Sequence, residues 1–298
     1  MSQSVRGTGL GALAILSWGG LGALGASSAN LPPHLVLGLC FAIAAAFGWV
    51  LGLFRHERPA PFLQRDTLIA AFLLTIYHLS YLEAFHHAAA IPVALINYLW
   101  PACLIIIGNL FFRLDAGWPG YVGAGLGFFG IALMIGGGRE GMTLQSGDAI
   151  GYGLAFLGAM FWATYSNLRR GSSKDGVGEM TTICALSSAA CFALTFATGE
   201  GIVSIEPRDM MVILLLGLGP AGGAFFMWDI GMRKGNAALL GILGYAAPVL
   251  STLLMLLLGM GEATWRVGMA VILITLGGVV VQTGPSLVAM VRKTKTTV

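Results

Sequence analysis

Tyr77, His78 and Tyr81 stand about midway along an apolar run over residues 66–88. Their groups can hydrogen-bond, stack and, at the imidazole, exchange a proton. Similar side chains recur far from the ends of other apolar runs: Trp18, Tyr98, Trp100 and Trp162, with Tyr165 one turn below Trp162. Trp and Tyr normally gather where an apolar span meets water, as Trp118 and Trp265 do here. A ring in mid-span carries a polar atom that needs a partner at that depth. As a set, with the Asn97 amide and the Tyr245 phenol, these residues have the chemistry of a central binding cavity. Flat faces suit an aromatic or apolar side chain, and O–H and N–H groups suit a polar end. Taken singly, each ring could equally fill space between helices.

Bond-breaking chemistry lacks its parts. Serine hydrolysis needs an exposed Ser beside a His. Ser27 and Ser28 lie too near a span end, and Ser80 cannot face His78 two residues away on a helix. The chain has no H-E-x-x-H pattern, no Walker A sequence and no metal-ligand spacing. Cys40, Cys103, Cys184 and Cys191 all lie in apolar runs and read as small buried hydrophobes. Neither an enzyme nor a cofactor or metal is therefore expected. Glu83 and Asp229 are the acidic residues set well inside apolar segments, which makes them candidates for gating or proton coupling. Both sit near a span end, where they can also reach water. No Lys or Arg lies at mid-depth, which argues against a permanently anionic substrate.

The elements that must position these residues are membrane helices. Of the 298 residues 57% are hydrophobic and 10% charged, against about 25% charged in a soluble domain. A spanning helix needs ~20 mostly apolar residues. Ten such runs are found at 6–28, 35–54, 66–88, 91–113, 118–137, 147–170, 179–199, 209–232, 237–259 and 264–287, joined by short connections. With a cytoplasmic N-terminus, thirteen of the 16 basic residues fall inside, and only Arg139, Arg208 and Arg266 fall outside. That asymmetry fits the positive-inside rule and places both termini in the cytoplasm.

One segment is stated twice. Residues 84–101 read AFHHAAAIPVALINYLWP and residues 231–248 read GMRKGNAALLGILGYAAP, at a constant offset of 147. Small residues match at Ala84 and Gly231, Ala88 and Gly235, and Ala94 and Gly241; Ala90 matches Ala237, Tyr98 matches Tyr245, and Pro101 matches Pro248. The segment around Trp18 likewise has a counterpart around Trp162. Two repeats are expected, 1–140 and 141–298. Five spans per repeat is an odd number, so the second must enter the membrane inverted, the arrangement that permits alternating access. Pro101 and Pro248 interrupt equivalent helices, and Pro220 sits in a Gly-rich stretch near the middle of the eighth. A proline there removes a backbone donor, so these three positions are expected to bend, to line a cavity or to act as hinges.

Ser17-Trp18-Gly19, Tyr77-His78-Leu79-Ser80-Tyr81-Leu82-Glu83-Ala84, the run from Ala94 to Pro101, and Tyr245-Ala246-Ala247-Pro248 resemble the drug/metabolite transporter superfamily, in particular its EamA-type members. The likeness extends over nearly the whole chain. It implies an all-α fold of two inverted five-helix repeats and a multi-pass protein of the bacterial inner membrane. It also implies export of amino acids, aromatic and other neutral ones. The superfamily moves many metabolites, so efflux of another small metabolite or drug is the alternative. A channel would need a continuous polar stripe along several helices, where this chain has a mid-depth cluster. The expected partners are a small-molecule substrate and the lipid bilayer, with no nucleic acid, and the expected state is a monomer.

Overall fold

The computed structural model describes residues 3–113, 117–135, 148–170, 176–199, 203–236, 239–240 and 243–295. The expected repeat boundary at 140–141, and Arg139, Lys174, Ala237 and Gly241, lie outside this set. Among the described residues there is no strand, and helices fall on all ten expected spans. The first span is α1 (Gln3–Gly19) followed by α2 (Leu21–Ser27). Then come α3 (Pro33–Arg55), α4 (Arg65–His87), α5 (Ala90–Asn97), α6 (Trp100–Phe111) and α7 (Gly117–Ile135). The rest of the chain forms α8 (Asp148–Arg170), α9 (Val177–Ala197), α10 (Pro207–Leu218), α11 (Gly223–Lys234), α12 (Ala247–Leu257) and α13 (Trp265–Lys295). Seven helical stretches among the described residues are long and apolar enough to cross a membrane. The 23 residues of α4 extend ~35 Å, enough for a ~30 Å hydrocarbon core.

Proline and glycine cut the spans rather than bending them. Pro101 and Pro248 sit in the first turns of α6 and α12, where a missing N–H is harmless. The helix before Pro101 ends at Asn97. A three-residue 3-10 turn, Gly244–Ala246, precedes α12. Pro220 lies between α10 and α11, where the Ala224 N–H donates back to Gly219 at 2.8 Å. The break at Gly19 and Gly20 in the first span has no proline to announce it.

Packing explains the repeated small residues. The dominant contacts join α1 with α11, α4 with α8, α3 with α9, and α7 with α13. A Cβ on Gly231 would stand 2.6 Å from Gly11 Cα, and one on Gly7 would stand 2.7 Å from Gly235 N. At the crossing of α8 on α4, a Cβ on Gly151 would stand 2.9 Å from the Ala84 carbonyl oxygen. Backbones approach this closely only where side chains are minimal, the means by which membrane helices gain dispersion contacts without a hydrophobic drive.

Polar ties close the two ends of the bundle. At one end, Glu57 Oε2 accepts the Val177 N–H at the start of α9 at 2.9 Å, and the Ala60 N–H donates to Gly178 at 3.1 Å. Arg169 meets Glu179 through both nitrogens, at 2.8 and 3.0 Å. At the other, the Asn30 amide donates to Asp209 at 3.1 Å, and His34 pairs with Thr195 at 3.0 Å.

Candidate substrate site

The mid-depth rings converge. Tyr77 on α4 lies 5.2 Å, centroid to centroid, from Trp162 on α8, and Trp162 stacks on Tyr165 at 5.2 Å. Phe225, in the first turn of α11, joins Trp162 at 5.7 Å, Trp18 at 6.1 Å and His78 at 6.1 Å. Trp18 continues to Trp228 at 5.1 Å, and Tyr77 continues through Tyr81 to Phe85. Five of the expected residues, Trp18, Tyr77, His78, Tyr81 and Trp162, are thus joined in one network of rings drawn from α1, α4 and α8. The rings touch one another in this structure, with no wide space between neighbours.

Polar atoms sit inside this network. His78 is fully buried, its Nδ1–H donating to the Leu74 carbonyl at 2.9 Å. A carbonyl only accepts, so the neutral imidazole keeps its free lone pair on Nε2, which has no partner. Asn97, at the end of α5, lies beside the Tyr77 side chain, and its Oδ1 is buried without a partner. The Tyr98 hydroxyl donates to the Trp18 carbonyl at 3.4 Å. Buried polar groups left unpaired cost about 1–3 kcal/mol each, so a cluster of them marks a place where a ligand is expected.

The other expected residues fall elsewhere. Trp100 packs, as Leu104 and Phe156 do, against Cys103, Ile107, Ala159 and Ala163 in a satellite cluster between α6 and α8. Tyr245 lies against α13, where a Cβ on Gly278 would clash with its ring. Pro101 lines, with Tyr98 and Gly277, a cavity of about 10 Å³, room for no more than one water. Pro220 and Pro248 are buried at their helix breaks. Glu83 bonds His87 at 3.1 Å and is 43% exposed, so its charge is met by a neighbour and by solvent. The Asp229 side chain lies outside the described set. An opening of about 360 Å³ lies at the loop end of the bundle beside Glu57, Arg58 and Glu179, away from the rings.

Phe41, 5.2 Å from His78, belongs to the network with Phe225 and Trp228, and a phenylalanine carries no signal of depth by ring type alone. The signal for the last two was their spacing: they are three residues apart, on one helix face, directly after the Gly-Pro-Ala-Gly-Gly break.

The geometry of Glu83 sets one prediction. Glu83→Gln keeps a hydrogen bond to His87 and leaves substrate flux within about twofold of the parent, because a half-exposed pair contributes little. Flux measured with and without a proton gradient checks this, and a lost gradient response would make Glu83 the coupling residue.

The EamA-like transporter family model matches residues 5–136 and again 149–283. The chain belongs to this family. It is a multi-pass membrane transporter, not an enzyme. Among its curated relatives is the aromatic amino acid exporter YddG of Ancylobacter novellus, 34% identical over 286 residues, or 95% of this chain and 98% of that protein. The protein of the same name from Escherichia coli K12 is 26% identical over 84% of this chain and 87% of its own length. That of Salmonella typhimurium is 28% identical over 57% of this chain and 59% of its own. A protein of known crystal structure is 31% identical and superposes with a TM-score of 0.70, over 93% of this chain and 96% of that one.

Proposed function

We propose that this EamA-family transporter exports aromatic and other neutral amino acids across the bacterial inner membrane, with both termini cytoplasmic. The observation that carries the reading is the ring network itself. Aromatic faces from the first, third, sixth and eighth spans surround unpaired polar atoms at mid-depth, which suits a zwitterion with a flat side chain. The exporter named for aromatic amino acids, alike over 95% of this chain, supports the same substrate class.

We read residues 1–140 and 141–298 as inverted repeats that expose the site to each side in turn. Exchange of the halves supports this. It carries the first-span contact with the eighth (α1 on α11) onto the sixth-span contact with the third (α8 on α4). It carries the pairs α3 with α9 and α7 with α13 onto themselves. Two arrangements related by such an exchange are close in energy, the condition for alternating access. Trp18, Tyr77, His78, Tyr81, Asn97, Tyr98 and Trp162 contact the substrate in this reading, and the helix breaks at Pro101, Pro220 and Pro248 absorb the motion. Tyr245 and Asp229 are kept as candidates to be tested by substitution, whereas Trp100, packed in the satellite cluster, is read as a packing residue.

Purified protein in liposomes is expected to carry labelled phenylalanine, threonine or methionine down a gradient. Tyr77→Ala, His78→Ala and Tyr98→Ala each lower that flux at equal reconstitution. Flux equal to that of empty vesicles removes the substrate assignment, and unchanged flux in all three variants returns these side chains to helix packing.

A further inference from the structure

Three of the broken spans lose their continuity at one place. A Cβ on Gly19, where α1 ends, would lie 2.9 Å from Leu250 Cβ of α12. A Cβ on Gly22 of α2 would lie 2.9 Å from Ser251 Oγ and 3.1 Å from Ala94 Cβ of α5. Tyr98, one turn past Ala94, reaches the Trp18 carbonyl at 3.4 Å, and Ser251 sits against the same phenol. Elements from spans one, four and nine therefore meet around Ser251, a residue that sequence reasoning had not singled out.

Ser251 is fully buried, and its Oγ has the Tyr98 hydroxyl beside it but makes no well-formed hydrogen bond. A helical Ser or Thr with nothing better usually donates to the carbonyl four residues back. Thr75, Thr164 and Ser166 all do so here, at 2.7 to 2.9 Å. The Trp18 carbonyl, at the end of α1, receives the long Tyr98 bond. Asn97 Oδ1, one residue before Tyr98, is another buried acceptor without a partner. Counted as lone pairs, the oxygens of Ser251, Tyr98, Asn97 and the Trp18 carbonyl outnumber the hydroxyl and amide hydrogens of the junction that could fill them. An ammonium group brings three donors and no acceptor. Carbonyls freed at helix breaks are suited to cations at mid-membrane.

We propose that this junction binds the ammonium group of the substrate, with Ser251 Oγ, the Trp18 carbonyl and the Tyr98 oxygen as its acceptors. The proposal rests on the amino-acid reading above and adds the orientation of the ligand. The ammonium lies toward α12, and the side chain lies along the ring wall of Trp18, Phe225 and Trp228. Ser251 is then a specificity residue: it discriminates by the charge at one end of the ligand and does not merely fill space.

Competition against labelled phenylalanine in proteoliposomes tests this. 2-Phenylethylamine keeps the ammonium and lacks the carboxylate, and 3-phenylpropionate does the reverse. The parent protein is expected to be inhibited by the amine at least about tenfold more strongly than by the acid. Ser251→Ala reduces that preference by about tenfold, the scale of one charge-assisted hydrogen bond. Equal or stronger inhibition by the acid overturns the proposal, as does an unchanged preference in Ser251→Ala. The parent comparison needs no variant, so misfolding of Ser251→Ala leaves the test standing. Carried phenylalanine with an acid preference defeats the ammonium site alone. Absence of phenylalanine flux in the parent defeats the substrate reading and the ammonium site with it.

Discussion

Trp162→Ala is expected to lower phenylalanine flux by roughly tenfold or more, whereas Trp162→Phe retains most of it. The indole touches Tyr77, Tyr165 and Phe225 within 5.7 Å, and so connects three helices of the ring network. Removing it takes away the largest flat face at the centre and leaves a void that its neighbours can only partly fill. A phenyl ring preserves one face and much of the volume. Loss of packing alone can also depress flux, so the comparison needs a control of equal size in another place. Trp100 provides it, because its ring packs in the satellite cluster between α6 and α8. Both alanine variants lose ring contacts; only Trp162→Ala loses the contact with substrate. At equal amounts of monodisperse reconstituted protein, Trp162→Ala is expected to fall well below Trp100→Ala. Equal flux in the two variants would assign Trp162 to packing and leave the ring network without a transport role.

The placement of these rings was largely legible in the sequence, because depth in a membrane is a one-dimensional quantity. Counting from the span ends puts Trp18, Tyr77, His78 and Trp162 at mid-depth, and helical spacing sets Tyr77 and Tyr81 on one face. Rotation about the helix axis is not a matter of counting. Trp100 is an aromatic residue with a polar atom at nearly the same depth as Tyr98, yet it turns toward α8 and the satellite cluster. Tyr245 is the repeat partner of Tyr98, and it turns toward α13. Proline announced the breaks at Pro101, Pro220 and Pro248, whereas the break at Gly19 carries only glycine, which also serves close packing throughout this chain. Ser251 was unreadable for a related reason. Its interest lies in a hydrogen bond not made, and only neighbours from other spans decide that. The small-residue register was readable as repetition, but its cause, the crossings of α1 on α11 and α8 on α4, needed three dimensions.

The largest expected effect on stability belongs to Arg169→Met. Arg169 closes the loop end of α8 on Glu179 of α9 through two contacts, at 2.8 and 3.0 Å, and the Glu179 side chain is 3% exposed. Removing the cation strands that carboxylate in a buried position. Breaking a buried pair from one side costs about 3–5 kcal/mol, whereas replacing both partners with apolar residues is often neutral. A second carboxylate sharpens the effect. Glu57 already caps the Val177 N–H two residues before Glu179, so the start of α9 holds two carboxylates and keeps only the Arg55 guanidinium, 3.8 Å from Glu57. The positive end of the α9 dipole offsets only part of that charge. Arg169→Met is therefore expected to lower the midpoint of thermal unfolding in detergent by roughly 6–15 °C. The double variant Arg169→Met with Glu179→Leu recovers most of the loss. Scanning fluorimetry of the parent, the single and the double variants decides the matter. Recovery in the double variant identifies the stranded charge as the cause. An equal fall in both would mean that the pair itself holds α8 to α9, and no fall in either would mean that water reaches the carboxylate at this end of the bundle.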